Sequence, residues 1–350
     1  MENLNIQGRT VGPGQPPYII AEIGSNHNGD LNLCKKIIDA AKACGADAVK
    51  FQSWNKESLI SKAEYARNTN YSDKKKHFGS LEEMVEKYHL TPEQHIEISQ
   101  YCSDIKITFL SSAFSGEEVD LLISLDVPAF KVASMDINNL PLLRYIASKH
   151  KPVIVSTGMA TLGEIEQALG ILKTFGAGPI ALLHCISIYP PICNNINLRN
   201  IPMLQQVFEV PVGFSDHSLG TSIPLAAVAL NTCIIEKHFT LDKNFNGWDH
   251  AISANPDELS YLVKESRNIF NSLGSATRIV YDDEYEKRKK FRRRAVAKYA
   301  MHKGEVIKEN GLAFKRPGNG INPDEIDYII GRTLNKDIQQ DQELEWSDLF

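Results

Sequence analysis

Residues 18–30 read Tyr-Ile-Ile-Ala-Glu-Ile-Gly-Ser-Asn-His-Asn-Gly-Asp (YIIAEIGSNHNGD). The run Tyr18–Ala21 is apolar without alternation and ends on an acid, Glu22. Such a run fits a strand buried on both faces, as in a parallel sheet. The turn after it separates two parallel-sheet architectures. A dinucleotide-binding sheet would turn here through GxGxxG. This chain has Gly24-Ser25-Asn26-His27 instead. Seven further short runs of the same kind occur along the chain: Ala48–Gln52, Ile105–Leu110, Ala129–Ala133, Val153–Thr157, Ile180–His184, Val212–Ser215 and Cys233–His238.

Segments of helical period lie between them. Leu31–Cys44 places Leu33, Ile37, Ile38 and Ala41 on one face, and Gly45 stops it. Leu162–Phe175 and Asp257–Leu273 repeat the pattern, the former behind Thr161 with Glu164 at capping-box spacing. Eight strands alternating with helices predict an α/β fold of the (β/α)8 (TIM barrel) type over residues 1–280. Residues 61–79 are charged and weakly periodic and read as a long loop after the second strand, on the active face. Residues 281–294 break the rhythm. Seven of the eight residues Lys287–Arg294 are basic, and the stretch reads as a charged, solvated linker or helix end. Residues 295–350 carry short alternating runs and turn signals, and read as a small β-rich domain.

Composition narrows the function classes. With 350 residues, 43% hydrophobic and a net charge of −5, the chain suits a soluble globular protein and does not favour nucleic acid. The basic stretch has only Phe291 among its charges, where a nucleic-acid surface would interleave aromatics. Six cysteines at 34, 44, 102, 185, 193 and 233 form no CxxC pair. They read as reduced thiols of a cytoplasmic protein. No leader-like segment and no apolar run of membrane-spanning length is present, so no membrane partner is expected.

Barrel active sites lie at the C-terminal ends of the strands. Those ends carry Glu22; Lys50 and Gln52; Ser111 and Ser112; Lys131 and Ser134; Ser156 and Thr157; His184 and Tyr189; Ser215, Asp216 and His217; Glu236 and His238. Charges near a barrel centre are costly unless paired or used. Lys50 and Lys131 stand inside apolar strands among hydroxyls, which suits a bound phosphate or carboxylate. Pairing with a neighbour, such as Lys50 with Glu22, is the plainer alternative, and is weighed below anion binding. A Schiff-base lysine is a third. His217 and His238 end adjacent strands and can share one divalent cation, Mn²⁺ or Mg²⁺, with Zn²⁺ also open. His184 and His250 read at least as readily as structural.

These residues fall in strings that resemble the sialic acid (N-acetylneuraminate) synthase family. The strings are IIAEIGSNHNGD (19–30), GADAVKFQS (45–53), FLSSAFS (109–115), FKVAS (130–134), STGMAT (156–161), LLHCISIYP (182–190), GFSDHSLG (213–220), EKHFTLD (236–242) and KRPGNGI (315–321). The last resembles the C-terminal SAF (antifreeze-like) domain. The resemblance implies condensation of phosphoenolpyruvate with an N-acylated amino sugar, similar to N-acetylmannosamine, and water. Phosphate leaves by C–O cleavage and a nine-carbon 3-deoxy-2-keto acid remains. It implies that His217 and His238 hold the metal. It implies that Lys50, Lys131, Ser112, Ser134, Ser156 and Ser215 hold phosphoenolpyruvate, and that Glu22, Gln52, Tyr189 and Asp249 face the sugar. Glu22 would act as base or orienting group. It further implies a domain-swapped homodimer, with Arg316 serving the partner's barrel.

Ser187, Asp136 and the loop Asn246-Gly247-Trp248-Asp249-His250 depart from the family pattern, all on the sugar side. The reaction type is therefore better specified than the sugar. A legionaminic or pseudaminic acid synthase taking a 2,4-diacetamido sugar is the first alternative. A 3-deoxy-octulosonate or heptulosonate phosphate type of synthase would want a second phosphate clamp and lack the appendage. A non-catalytic binding protein with a SAF-like tail is the rival of another class.

Overall fold

The computed structural model describes residues 1–350 except 74, 75, 78 and 317. It divides into two compact units, Met1–Gly274 and Ser275–Phe350. The first is a closed barrel of eight parallel strands in sequential order. They are β1 (Tyr18–Glu22), β2 (Ala48–Ser53), β3 (Thr108–Ala113), β4 (Phe130–Val132), β5 (Val153–Ser156), β6 (Ile180–Cys185), β7 (Val212–Asp216) and β8 (Ile234–His238). β8 pairs with β1, His238 beside Glu22, and so closes the ring.

Side chains alternate across a strand, so every second residue faces the barrel axis. Tyr18, Ile20, Ala48, Leu110, Ala129, Ile154, Ala181, Leu183 and Ile234 form the inner apolar core. Leu4, Ile6 and Val11 join it from a short antiparallel hairpin, Leu4–Ile6 with Arg9–Val11. The opposite parity, including Ile19, Val49, Phe109, Phe130, Val153, Leu182, Phe214 and Ile235, packs against the helices. Gly213 of β7 faces inward, where a Cβ would collide with the Leu183 side chain and the Ile234 backbone. Only glycine lets β6, β7 and β8 close up there.

Several boundaries differ from the sequence reading, each for a local reason. The third strand starts at Thr108, because the helix Pro92–Ile105 runs through Ile105 and ends on Lys106 in the left-handed region, φ 60°. In the helix Leu31–Ala43, Cys34 takes the buried place expected of Leu33. The predicted loop 61–79 holds the helix Lys62–Arg67, and its residues 74, 75 and 78 lie outside the described ones. With the helices Lys56–Leu59 and Leu81–Tyr88 it encloses a separate apolar cluster of Trp54, Tyr65, Leu81, Met84, Val85 and Tyr88.

The C-terminal unit begins at Ser275, ahead of the expected boundary at 280. The stretch expected as linker contains a ten-residue helix, Asp282–Phe291. Acids fill its first turn and bases its last, the order that its dipole favours. Beyond it, Arg294–Ala297 pairs antiparallel with Leu312–Lys315 around a core that includes Ala295, Ile307, Ile321, Ile338 and Leu344. The six cysteines are free. No helix among the described residues is long and apolar enough to cross a membrane.

Candidate active site

A cavity of about 520 Å³ opens at the C-terminal ends of the strands. The inward parity dictates its floor. Glu22, Lys50, Gln52, Ser112, Lys131, Ser156, Ser215, Glu236 and His238 all line it, one inward step above the inner core on their strands, or two for Gln52 and His238. Ser134, Ser187, Tyr189, His217 and Asp249 reach it from the loops. The outward parity removes Ser111, His184 and Asp216, although they too end strands. Ser111 bonds Ser53, which also meets the His95 ring. His184 bonds the Ile196 carbonyl, and Asp216 pairs with Lys237. His250 is buried between Thr240 and Asn28 and is structural.

One of the expected binding residues is not brought to this wall. Asp136 lies behind it, accepting a bond from Asn139. It sits in a short 3₁₀ turn, where its neighbours Ser134 and Met135 face the cavity instead. Arg316 belongs to the C-terminal unit, where its guanidinium lies 5.3 Å over the Phe291 ring. Glu236, named among the strand ends, and Trp248, in the loop read as sugar-side, line the cavity, and so do Cys185, Phe114, Met135, Met159 and Ile188, which the sequence did not mark. Strand parity would have found Cys185. The apolar ones carry no local signal, since an isolated aromatic in a loop reads as packing.

Both lysines have acidic neighbours, the arrangement that the pairing alternative described. Lys50 Nζ lies 2.7 Å from Glu22 Oε2 and 3.8 Å from Glu236 Oε1. Lys131 Nζ is also 3.8 Å from Glu236 Oε1, and donates to Ser156 Oγ at 2.6 Å and to the Val132 carbonyl at 3.1 Å. Glu236 therefore sits between two ammonium groups and bonds neither closely. Ser215 Oγ donates to it at 3.2 Å. An ammonium has three N–H donors, so a bound anion can still be served from both lysines.

Burial sets the protonation balance. It pushes Glu22 up to about 7, with Lys50 opposing and Glu236 reinforcing the shift. Burial also pushes Glu236 upward, but Lys131 and Lys50 outweigh it and hold Glu236 below its ordinary value. The Lys131 ammonium is disfavoured by burial and by Lys50, and its pKa is lowered despite Glu236. Glu22 is thus the carboxyl that exchanges a proton near neutrality. Gln52 Nε2 donates to it at 2.7 Å, while Gln52 Oε1 accepts from Trp54 Nε1 at 3.1 Å. The folded chain holds a Glu22 proton that the unfolded chain has lost between roughly pH 4.5 and 7, so stability falls as pH rises through that window. In chelator-treated protein, Glu22→Gln should remove this slope. The stability difference between wild type and variant should shift by at most about 3 kcal/mol across the window. Denaturant titrations at several pH values test it, and parallel pH profiles would refute it.

His217 and His238 ring centroids are 5.5 Å apart. His217 Nδ1 is 2.8 Å from the Ile186 carbonyl, which can only accept, so the proton sits on Nδ1 and the lone pair on Nε2. Burial disfavours a charged His217, yet Cys185, 3.9 Å from Nδ1, outweighs it and raises the pKa. His238 Nδ1 lies 3.9 Å from Asp249 Oδ2. Among the described residues no group of three or more acidic, Cys or His side chains is placed to hold a metal. His217 and His238 are the residues that could supply two imidazole donors to a cation, leaving its other positions open. Tyr189 stacks at 4.1 Å on His217 and closes that side.

The pattern of the NeuB family matches residues 37–278, and that of the SAF domain residues 292–349. The chain belongs to the NeuB family. This NeuB-family chain is 43% identical over 330 residues to the N,N'-diacetyllegionaminic acid synthase of Campylobacter jejuni, covering 93% of this chain and 97% of that protein. It is 35% identical over 337 residues to the human N-acetylneuraminate-9-phosphate synthase, covering 95% and 93%. Among solved structures, the N-acetylneuraminic acid synthetase of Leptospira borgpetersenii in complex with citrate superposes with a TM-score of 0.74 at 35% identity, over 82% of this chain and 95% of that one.

Proposed function

We infer that the protein condenses phosphoenolpyruvate with an N-acylated amino sugar and water, giving a nine-carbon 3-deoxy-2-keto acid and phosphate. The observation that carries this reading is the convergence of Lys50, Lys131, four serine-bearing strand or loop ends, and two histidines on one cavity. The named relatives, all synthases, support the reaction class. Relatives named for a sialic acid, a legionaminic acid and a pseudaminic acid product support these products equally. N-acetylmannosamine and 2,4-diacetamido sugars are both carried as substrates.

In this reading Lys50 and Lys131, with Ser112, Ser134, Ser156 and Ser215, hold the phosphate and carboxylate. They are fixed on rigid strands before the charge on the leaving phosphate develops. C3 of phosphoenolpyruvate bonds to the sugar aldehyde carbon, water adds at C2, and the C2–O bond to phosphate breaks. Glu22, poised near neutrality and oriented by Gln52, takes or returns the proton of that water. Asp249, Gln52, Tyr189 and Ser187 line the sugar side. His217 and His238 would hold a divalent cation, Mn²⁺ or Mg²⁺, which polarises the aldehyde when bound. The reading includes a domain-swapped homodimer in which Arg316 serves the partner's site, on the strength of KRPGNGI within the matched SAF domain.

Phosphate release from phosphoenolpyruvate tests it, with a panel of N-acyl hexosamines, after chelation and with Mn²⁺ restored. Sugar-dependent release that returns with the metal is expected, with a product whose mass is that of phosphoenolpyruvate, sugar and one water less phosphoric acid. No release with any sugar sinks the synthase reading.

A further inference from the structure

A chain of two hydrogen bonds leads from the cavity into the apolar cluster behind it. Trp54 follows β2 and lies outside the cavity lining. It is 3% exposed and packs with Tyr65, Leu81, Met84, Val85 and Tyr88. Those partners come from the helices Lys62–Arg67 and Leu81–Tyr88, so the excursion between β2 and β3 holds the indole by close packing. Its Nε1–H leaves the cluster and donates to Gln52 Oε1 at 3.1 Å. Gln52 Nε2 in turn donates to Glu22 Oε1 at 2.7 Å.

Chemistry dictates the direction of this chain. An indole N–H can only donate, so the group facing it must accept. A buried N–H left without an acceptor costs about 1–3 kcal/mol. The Gln52 amide has one accepting end and one donating end. With its oxygen committed to Trp54, its NH₂ is committed to Glu22. Turned over, the amide would set its NH₂ against the indole N–H and its oxygen against the carboxylate. Two repulsive contacts would replace two hydrogen bonds. The backbone closes a third side. Gly24, at φ 52°, passes so near that a Cβ there would lie 3.2 Å from Glu22 Oε1 and 3.3 Å from Gln52 Nε2. The amide is confined between a carboxyl, an indole and a glycine turn.

We propose that Trp54 is a positioning residue: its indole N–H fixes the Gln52 amide, and through it the Glu22 carboxyl, in the orientation that proton transfer to or from water requires. The proposal rests on the synthase reading above and extends it to a residue outside the cavity. Oε1 of Glu22 accepts from Gln52 and Oε2 faces Lys50 at 2.7 Å. The torsion that turns a carboxyl plane is soft, so a loose Gln52 frees that plane. A general base works only with its accepting oxygen within hydrogen-bond reach of the proton it takes. The cluster after β2 therefore acts on Glu22 through one indole N–H.

Trp54→Phe keeps an aromatic ring in the cluster and removes the N–H. Wild type, Trp54→Phe, Gln52→Ala and the double variant are assayed with Mn²⁺ by phosphate release, with a sugar that supports turnover in wild type. Trp54→Phe should lower kcat by about 10-fold, part of the roughly 10²–10⁴-fold that a positioned proton-transfer group contributes. KM for phosphoenolpyruvate should stay unchanged. In the Gln52→Ala background the same change should cost no further kcat, because its effect runs through Gln52. An equal loss in both backgrounds marks a packing role and overturns the proposal. So does wild-type kcat in Trp54→Phe. Where Trp54→Phe does not fold, Gln52→Ala decides by the NMR signals of the indole N–H groups, assigned by replacing the other two tryptophans, Trp248 and Trp346. The Trp54 signal should move upfield once its acceptor is gone, and an unmoved signal overturns the proposal. In all these outcomes wild type turns over and the synthase reading stands. No release from wild type with any sugar overturns that reading, and this one with it.

Discussion

Lys131→Met is expected to lower kcat/KM for phosphoenolpyruvate by about 10²–10³-fold, the usual cost of one preorganised donor at a developing charge. Methionine keeps the length and apolar stem of lysine, so the change is mainly one of charge. In the folded protein the ammonium is already aimed, with Ser156 Oγ at 2.6 Å and the Val132 carbonyl at 3.1 Å fixing two of its protons. Its third N–H is left for an anion. At 3.8 Å from Glu236, its attraction to that carboxylate is on the order of 4 kcal/mol at an effective dielectric near 20. An arriving phosphate competes with Glu236 for the same charge. Lys50 stands at the same 3.8 Å from Glu236, so it cannot replace Lys131 without abandoning Glu22, 2.7 Å away. Steady-state phosphate release with phosphoenolpyruvate varied is the measurement, with unfolding curves as the control for folding. A variant with wild-type kcat/KM would remove Lys131 from the site. A milder loss in Lys131→Met than in the same change at Lys50 would place the phosphate nearer Lys50.

The barrel was legible because its information is local and repeated. Each apolar run buried on both faces is a strand, each 3.6-period run a helix, and their alternation leaves few topologies. The capping box at Thr161 and Glu164 forms as spaced. The site was legible through one rule, that function collects at strand C-termini, but that rule alone collects both faces. Parity sorts them. Glu22, Lys50, Ser112, Lys131, Ser156 and Ser215 face the axis, while Ser111, His184 and Asp216 face the helices. The pairing of Lys50 with Glu22 was written in the sequence as adjacent strand ends, and the register makes them neighbours. What the sequence could not show is that Phe114 and Trp248, far apart in the chain, pack against one cluster of Trp54, Tyr65, Leu81, Met84, Val85 and Tyr88 and line one cavity. Asp136 shows the converse. A polar residue two positions past Ser134 looks like part of the site, but a 3₁₀ turn carries it out of the wall.

Replacing Lys237 should be the most damaging single change to stability, although Lys237 touches no substrate. It sits between Glu236 and His238 on β8 and therefore points the opposite way, into the layer between strands and helices. Its ammonium donates to Asp216 Oδ2 at 2.6 Å and to the Ser218 carbonyl at 2.7 Å, and both charged side chains are about 1% exposed. Asp216 Oδ1 accepts the Ser218 N–H at 2.8 Å. Lys237→Met strands the Asp216 carboxylate in a place water does not reach, for a loss of about 3–5 kcal/mol. Adding Asp216→Asn should recover much of that loss, because the penalty belongs to the orphaned charge and not to the missing pair. Denaturant unfolding of the two variants and of wild type makes the comparison. A single variant as stable as wild type, or a double variant worse than the single, would defeat it. The pair also ties β7 to β8, just before His217 leaves the end of β7 and between Glu236 and His238 on β8. If His217 and His238 hold Mn²⁺ as proposed, the double variant should bind it more weakly even where its fold is restored, since the two imidazoles are aligned by the strand ends that this buried contact holds together.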